Sequence, residues 1–314
     1  MNSQQFALVF PGQGSQKVGM LADLGAAFPT VKSTFAEASA ALGYDMWDLV
    51  QNGTQEQLNL TETTQPVLLT ASVAVWRLWC EQGGLQPSLM AGHSLGEFSA
   101  LVCAGALDFA DAVRLVRARG QFMQTAVPVG EGAMAAVLGL DDAKIIEICN
   151  QASATGVVEA VNFNSPGQVV IAGKVAGVDK AIELLKAAGA KRALPLPVSA
   201  PFHTSLMRPA GEKLGEALAA LNLQTPAIPV VHNVHGQTER DPQAIKALLV
   251  EQIYSAVKWV ACVETMTEAG ITATLEAGPG KVLSGLNKRI DKSLNCLNIE
   301  SPETLAAALD AVAQ

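Results

Sequence analysis

At 314 residues, of which 49% are hydrophobic, the chain has ample apolar material for a large core, which excludes a disordered or fibrous protein. A net charge of -8 with 16% charged residues, and no run of Lys or Arg, speaks against a nucleic-acid partner. No apolar stretch approaches the roughly 20 residues that span a bilayer, and the opening "MNSQQFALVFPGQG" lacks the basic start and apolar segment of a secretory signal, so the expected setting is the cytoplasm, off the membrane.

In chain order, "FALVF" (Phe6–Phe10) is a short apolar run stopped by Pro11-Gly12, the pattern of a buried strand, and a Gly-rich loop follows. "QPVLLTASVAVWRLWCE" (Gln65–Glu81) predicts a largely buried helix with Pro66 near its start. "SLMA" (Ser88–Ala91) predicts a strand and "LGEFSALVCA" a helix. Another helix is expected from an N-cap at Asp108 to about Ala126.

Between Ala133 and Val198 the pattern becomes strand, helix, strand, strand, helix, strand, the split βαβ order of ferredoxin-like units. Beyond Pro201 come helices over Ser205–Leu221, from Asp241, from Trp259, after Gly278-Pro279-Gly280 and from Ser301-Pro302, with strands at "IPVVHNV" (228–234) and "ITATLEA" (271–277). Such alternation predicts an α/β fold with a mainly parallel sheet covered on both faces. The expected division is a large lobe of residues 1–126 and 200–314 with a small lobe, 127–199, inserted. Cys80, Cys103, Cys149, Cys262 and Cys296 lie far apart without CxxC spacing and read as reduced packing residues.

"GHSLG" (92–96) stands between the expected strand and helix, the context in which a GxSxG pentapeptide turns its serine out as a nucleophile. Ser94 needs a base. Of the four histidines, His93 adjoins Ser94 and should point away from its hydroxyl, while His232 and His235 read as a polar strand end. His203, after "VSAPF" where the chain re-enters the main sheet, is the candidate base. No Asp or Glu stands out as an acid to orient it, so a triad and a dyad held by a backbone carbonyl both remain open.

"FPGQGSQ" (10–16) lacks the third glycine of a dinucleotide fingerprint; its alternative use is to set the Gln13 N–H beside that of Leu95 as an oxyanion hole. Arg119 falls on the apolar stripe Phe109, Ala112, Val113, Val116 and Met123 of its helix. A guanidinium facing inward needs an anion, either an internal carboxylate or one on the substrate.

Together "FPGQGSQ", "QPVLLTAS", "GHSLGE", the Arg119 helix, "NFNSPGQVVIAG", "PFHT" and "EAGPGKVL" resemble, over almost the full chain, the bacterial malonyl-CoA:acyl carrier protein transacylases of type II fatty acid synthesis, relatives of polyketide acyltransferase domains. The resemblance implies an α/β-hydrolase-like large lobe with a ferredoxin-like insert, Ser94 as nucleophile, His203 as base, Gln13 and Leu95 as oxyanion hole, and a main-chain carbonyl at Gln252 orienting the histidine. It assigns Arg119 to the malonyl carboxylate; His93, Asn162 and Phe202 complete the candidate substrate contacts, and the aliphatic Leu95 matches malonyl-selecting relatives. Malonyl-CoA and acyl carrier protein are the implied partners, with no cofactor, no metal and a monomeric chain. Lys191, Arg192, Lys281, Lys288 and Arg289 are candidates for docking an acidic carrier. The competing readings are a serine thioesterase or esterase and a non-catalytic carrier-binding module.

Overall fold

All five residues of the strand Phe6–Phe10 (β1) are buried, as a central strand of a covered parallel sheet requires. The computed structural model describes residues 5–313. The other strands in chain order are β2 (Leu89–Gly92), β3 (Gly132–Leu138), β4 (Val158–Ser165), β5 (Gln168–Lys174), β6 (Arg192–Pro195), β7 (Val230–Val231), β8 (Thr238–Glu239), β9 (Ala273–Ala277) and β10 (Asn295–Ile299).

The first sheet has the order β10-β9-β1-β2-β7-β8 and is parallel except for the β7–β8 pair. Register decides where the site forms. Phe10 pairs with Gly92 and Ala91 with Val231, so the segments that leave β1, β2 and β7 emerge side by side at the carboxyl ends of the strands. The loop bearing Gln13, the turn bearing Ser94 and the stretch His232-Asn233 therefore meet.

The second sheet is antiparallel, order β4-β5-β3-β6, and with the helices Asp142–Ala152 and Val175–Ala187 it completes a ferredoxin-like unit. Its strands serve two cores by simple alternation. On β5, Val169 and Ile171 face the unit's own helices, whereas Val170 and Ala172 join the core of the large sheet. Two backbone bonds tie β4 to the large sheet's side: Phe163 N–H to the Val257 carbonyl at 3.0 Å, and Val257 N–H to that of Val161 at 2.8 Å.

Several elements depart from the sequence reading. The helix expected from Gln65 starts at Thr61 and carries Pro66 inside it. Its first turn is held from outside, because Gly120 has no Cβ to strike the Thr61 carbonyl, which would lie 2.6 Å away. The strand expected over 228–234 shrinks to Val230–Val231, since His232 and Asn233 turn their polar groups to Glu97 instead of extending the ladder. The helix at 205 opens with a 3₁₀ turn, Ser205–Met207, before Arg208–Ala219. Helices Ala22–Ala27, Pro29–Leu42, Met46–Asn52 and Gln55–Asn59, and the strands β8 and β10, were not anticipated.

Candidate active site

Ser94 sits between β2 and the helix Leu95–Cys103 with φ 50 and ψ -107, a conformation that L-residues rarely adopt. The glycines around it make this turn possible. A Cβ on Gly92 would lie 1.9 Å from the Gly96 carbonyl carbon, and one on Gly96 would lie 2.2 Å from the Phe10 carbonyl oxygen. The turn is then clamped by side-chain amides: Asn233 Oδ1 accepts the Ser94 N–H at 2.8 Å, and Gln252 Nε2 donates to the Ser94 carbonyl at 3.0 Å.

His203 also has a positive φ, 63°, so two of the three non-glycine residues with that geometry among the described residues face each other here. Its Nε2 lies 2.8 Å from Ser94 Oγ, and its Nδ1 lies 2.8 Å from the main-chain oxygen of Gln252. A carbonyl can only accept, so Nδ1 carries the hydrogen and Nε2 presents its lone pair to the hydroxyl. Burial, reinforced by the positive charge of Arg119, pulls the His203 pKa down to about 3. The imidazole is thus neutral, the form a base must have.

Arg119 is 1% exposed, the most enclosed cation of the site. Its Nη1 donates to Gln65 Oε1 at 2.8 Å, and its Nη2 to Gln252 Oε1 at 2.8 Å and to Ser94 Oγ at 3.1 Å. Burial lowers its pKa to about 10, opposed by the negative charge of Glu97. No carboxylate touches it among the described residues, and Nε is buried without a partner. A fixed guanidinium with donors to spare suits an incoming carboxylate.

These groups line a cavity of about 500 Å³ between the two sheets, walled also by Gln13, Leu95, His93, Asn162, Phe202 and Met134. Leu95 is the first residue of its helix, so its N–H has no acceptor within it. The Gln13 loop is brought alongside because Gly12 abuts the His93 carbonyl, where a Cβ would approach to 2.5 Å. His93 Nε2 meets Asn164 Oδ1 at 2.8 Å, and burial lowers its pKa. Asn162 Oδ1 is buried and unpartnered.

Sequence reasoning did not single out Gln65, Glu97 and Asn233 and read His232 only as a polar strand end; all four are buried in this network. For Glu97 a signal existed: it is the single charge in the otherwise apolar helix "LGEFSALVC".

A hydroxyl on a strand-to-helix corner, a neutral imidazole against it and a helix N-terminus behind it make up a site for acyl transfer through a serine ester. Residues 7–303 match the acyl transferase domain family. The chain is 59% identical over 306 residues, 98% of its own length and 99% of the relative's, to the malonyl CoA-acyl carrier protein transacylase of Escherichia coli strain K12. It superposes on the malonyl CoA-acyl carrier protein transacylase of Coxiella burnetii with a TM-score of 0.98 at 48% identity, covering 99% of each chain. A malonyl-transacylase solved in complex with a type II polyketide acyl carrier protein gives 0.97 at 55% identity, covering 98% of this chain and 100% of that one. The chain belongs to the acyl transferase family.

Proposed function

We propose that the protein transfers the malonyl group of malonyl-CoA to the phosphopantetheine thiol of acyl carrier protein. Ser94 Oγ attacks the thioester carbonyl while its proton passes to His203 Nε2. The C–S bond breaks, and the CoA sulfur leaves with that proton, giving malonyl-Ser94. In the second half the carrier thiol gives its proton to His203 and attacks the ester, and the proton returns to Ser94 Oγ. The Gln13 and Leu95 N–H groups receive the oxyanion in both halves, and the Gln252 carbonyl keeps the imidazole in its base tautomer.

One observation carries this reading: Ser94 Oγ lies 2.8 Å from His203 Nε2 and 3.1 Å from Arg119 Nη2. Base and carboxylate receptor thus converge on the same oxygen. Arg119 takes the malonyl carboxylate; His93, Asn162 and Phe202 shape the rest of the pocket. The chemistry draws on no cofactor or metal. The enzyme works as a monomer in the cytoplasm; no helix among the described residues is long and apolar enough to cross a membrane.

The carrier docks by local positive charge, for which Lys191, Arg192 and Lys281 are exposed and suited. Lys288 is less available, since its Nζ donates to the carbonyls of Lys292 and Leu294, and Arg289 bonds Gln168. Incubation with malonyl-CoA should add one malonyl mass to the intact chain, and carrier protein bearing phosphopantetheine should then remove it as malonyl-carrier. Release of free malonate in place of malonyl-carrier would instead mark a hydrolase.

A further inference from the structure

Glu97, fully buried in the first turn of the helix Leu95–Cys103, is one residue removed from every reacting group. Its Oε2 accepts the main-chain N–H of Asn233 at 2.9 Å and Nε2 of Gln252 at 2.9 Å, and its Oε1 lies 2.6 Å from Nδ1 of His232. A carboxylate only accepts, so the Gln252 amide turns its NH₂ toward Glu97. Its Oε1 must then face the opposite way, and it meets Arg119 Nη2 at 2.8 Å.

The same amide holds the Ser94 carbonyl, while the Gln252 main-chain oxygen holds His203. Gln252 therefore touches nucleophile, base and guanidinium, and the carboxylate behind it, together with the Ser94 carbonyl and Asn233 Oδ1 at 3.2 Å, fixes which way its amide faces. With the amide reversed, NH₂ would oppose Nη2, donor against donor, and the guanidinium would keep only Gln65 of its two amide anchors. Glu97 is also close enough for its charge to offset part of the cost of burying Arg119.

We propose that Glu97 is a positioning residue for acyl-group selection: by setting the orientation of the Gln252 amide it holds Arg119 ready for a carboxylated acyl chain. The proposal rests on the acyl-transfer reading above. The readout is the ratio of malonyl to acetyl acylation rates of the intact chain, measured by mass with malonyl-CoA and with acetyl-CoA, which has no carboxylate for Arg119.

Glu97→Gln preserves volume but replaces the carboxylate by a neutral amide, which weakens the hold on the Gln252 NH₂. The ratio should fall by about tenfold or more, the worth of one charge-assisted hydrogen bond, beyond any slowing that a loosened Ser94 turn imposes on both donors alike. Gln252→Met keeps the main-chain carbonyl and removes the amide; it should lower the ratio comparably, and adding Glu97→Gln to it should lower the ratio no further.

Equal slowing of both donors, or independent losses in the double variant, overturns the proposal. If Glu97→Gln does not fold, Glu97→Asp, which keeps the charge but draws it back by one methylene from Gln252 Nε2, decides the matter: a lowered ratio supports the positioning role and an unchanged ratio overturns it. Failure of the acyl-transfer reading looks different, because the parent chain would then gain mass from neither donor.

Discussion

Arg119→Met replaces a buried guanidinium by an apolar side chain of similar length, and stability and catalysis should respond in different ways. Burial lowers the Arg119 pKa to about 10, equivalent to roughly 3 kcal/mol of disfavoured charge at neutral pH that the variant no longer bears. Against this, Gln65 Oε1 and Gln252 Oε1 each lose a donor at 2.8 Å, at about 1–3 kcal/mol apiece. The two effects nearly cancel, so the melting temperature should move by less than about 8 °C.

Catalysis has no such compensation. A malonyl carboxylate would enter the cleft without its cation, at a cost of about 2–5 kcal/mol, or roughly 30-fold to several thousand-fold in kcat/KM. Acetyl transfer, which presents no carboxylate, should change far less, so the preference between the two acyl groups collapses. Calorimetry together with malonyl and acetyl adduct formation by intact mass tests both halves. A melting temperature lowered by more than about 15 °C, with both acyl donors slowed alike, would make Arg119 a structural residue and refute the reasoning.

Because burial holds the His203 pKa down to about 3, the imidazole stays neutral and competent as a base while pH falls through 6.5; kcat/KM for malonyl acylation should show no acid limb near pH 6.5, and a limb centred there would contradict the buried geometry. The sign for stability is the opposite of benefit: below pH 6.5 the unfolded chain takes up a proton on this histidine that the folded chain refuses, so unfolding in urea should become easier as pH drops from about 6.5 toward 3. Ser94→Ala should give no malonyl adduct by mass, and a persisting adduct would move the nucleophile elsewhere. Gly92→Ala drives a Cβ to 1.9 Å from the Gly96 carbonyl carbon; a loss of about 3 kcal/mol or more is expected in urea titration, and an unperturbed midpoint would show that the elbow relaxes freely. Reversing charge at Lys191, Arg192 and Lys281 together should raise KM for carrier protein at low salt and leave malonyl-CoA acylation unchanged, whereas an unaltered KM would remove that docking face.

Much of the fold was legible because local rules and tertiary demands agree. "FALVF" is apolar at every position and becomes a central strand; Asp108 caps its helix by accepting the Asp111 N–H, and Asp241 does the same for Ala244. The ferredoxin-like order was readable as alternating strand and helix patterns between Ala133 and Val198, and the structure has it from Gly132 to Pro195. Some missed helices carried readable starts: Thr54 and Gln57 form a capping box, and Pro29 occupies a first helical position. The strand β10, "NCLNI", was not readable, because two Asn on a sheet edge break the apolar pattern that marks a covered strand.

Sequence alone determined which chemistry was available: a serine between glycines at a strand-to-helix junction, a histidine at the return from the insert, and an arginine on an apolar helix face. Residue type and short-range spacing suffice for that, since each reports on its own turn or helix. What the tertiary structure decided is who touches whom. Ser94 and His203 are separated by 109 positions, and Glu97 and Gln252 by 155, yet each pair is in hydrogen-bond contact. The parallel register of β1, β2 and β7 brings their carboxyl ends together, and no local pattern encodes which strands will be neighbours.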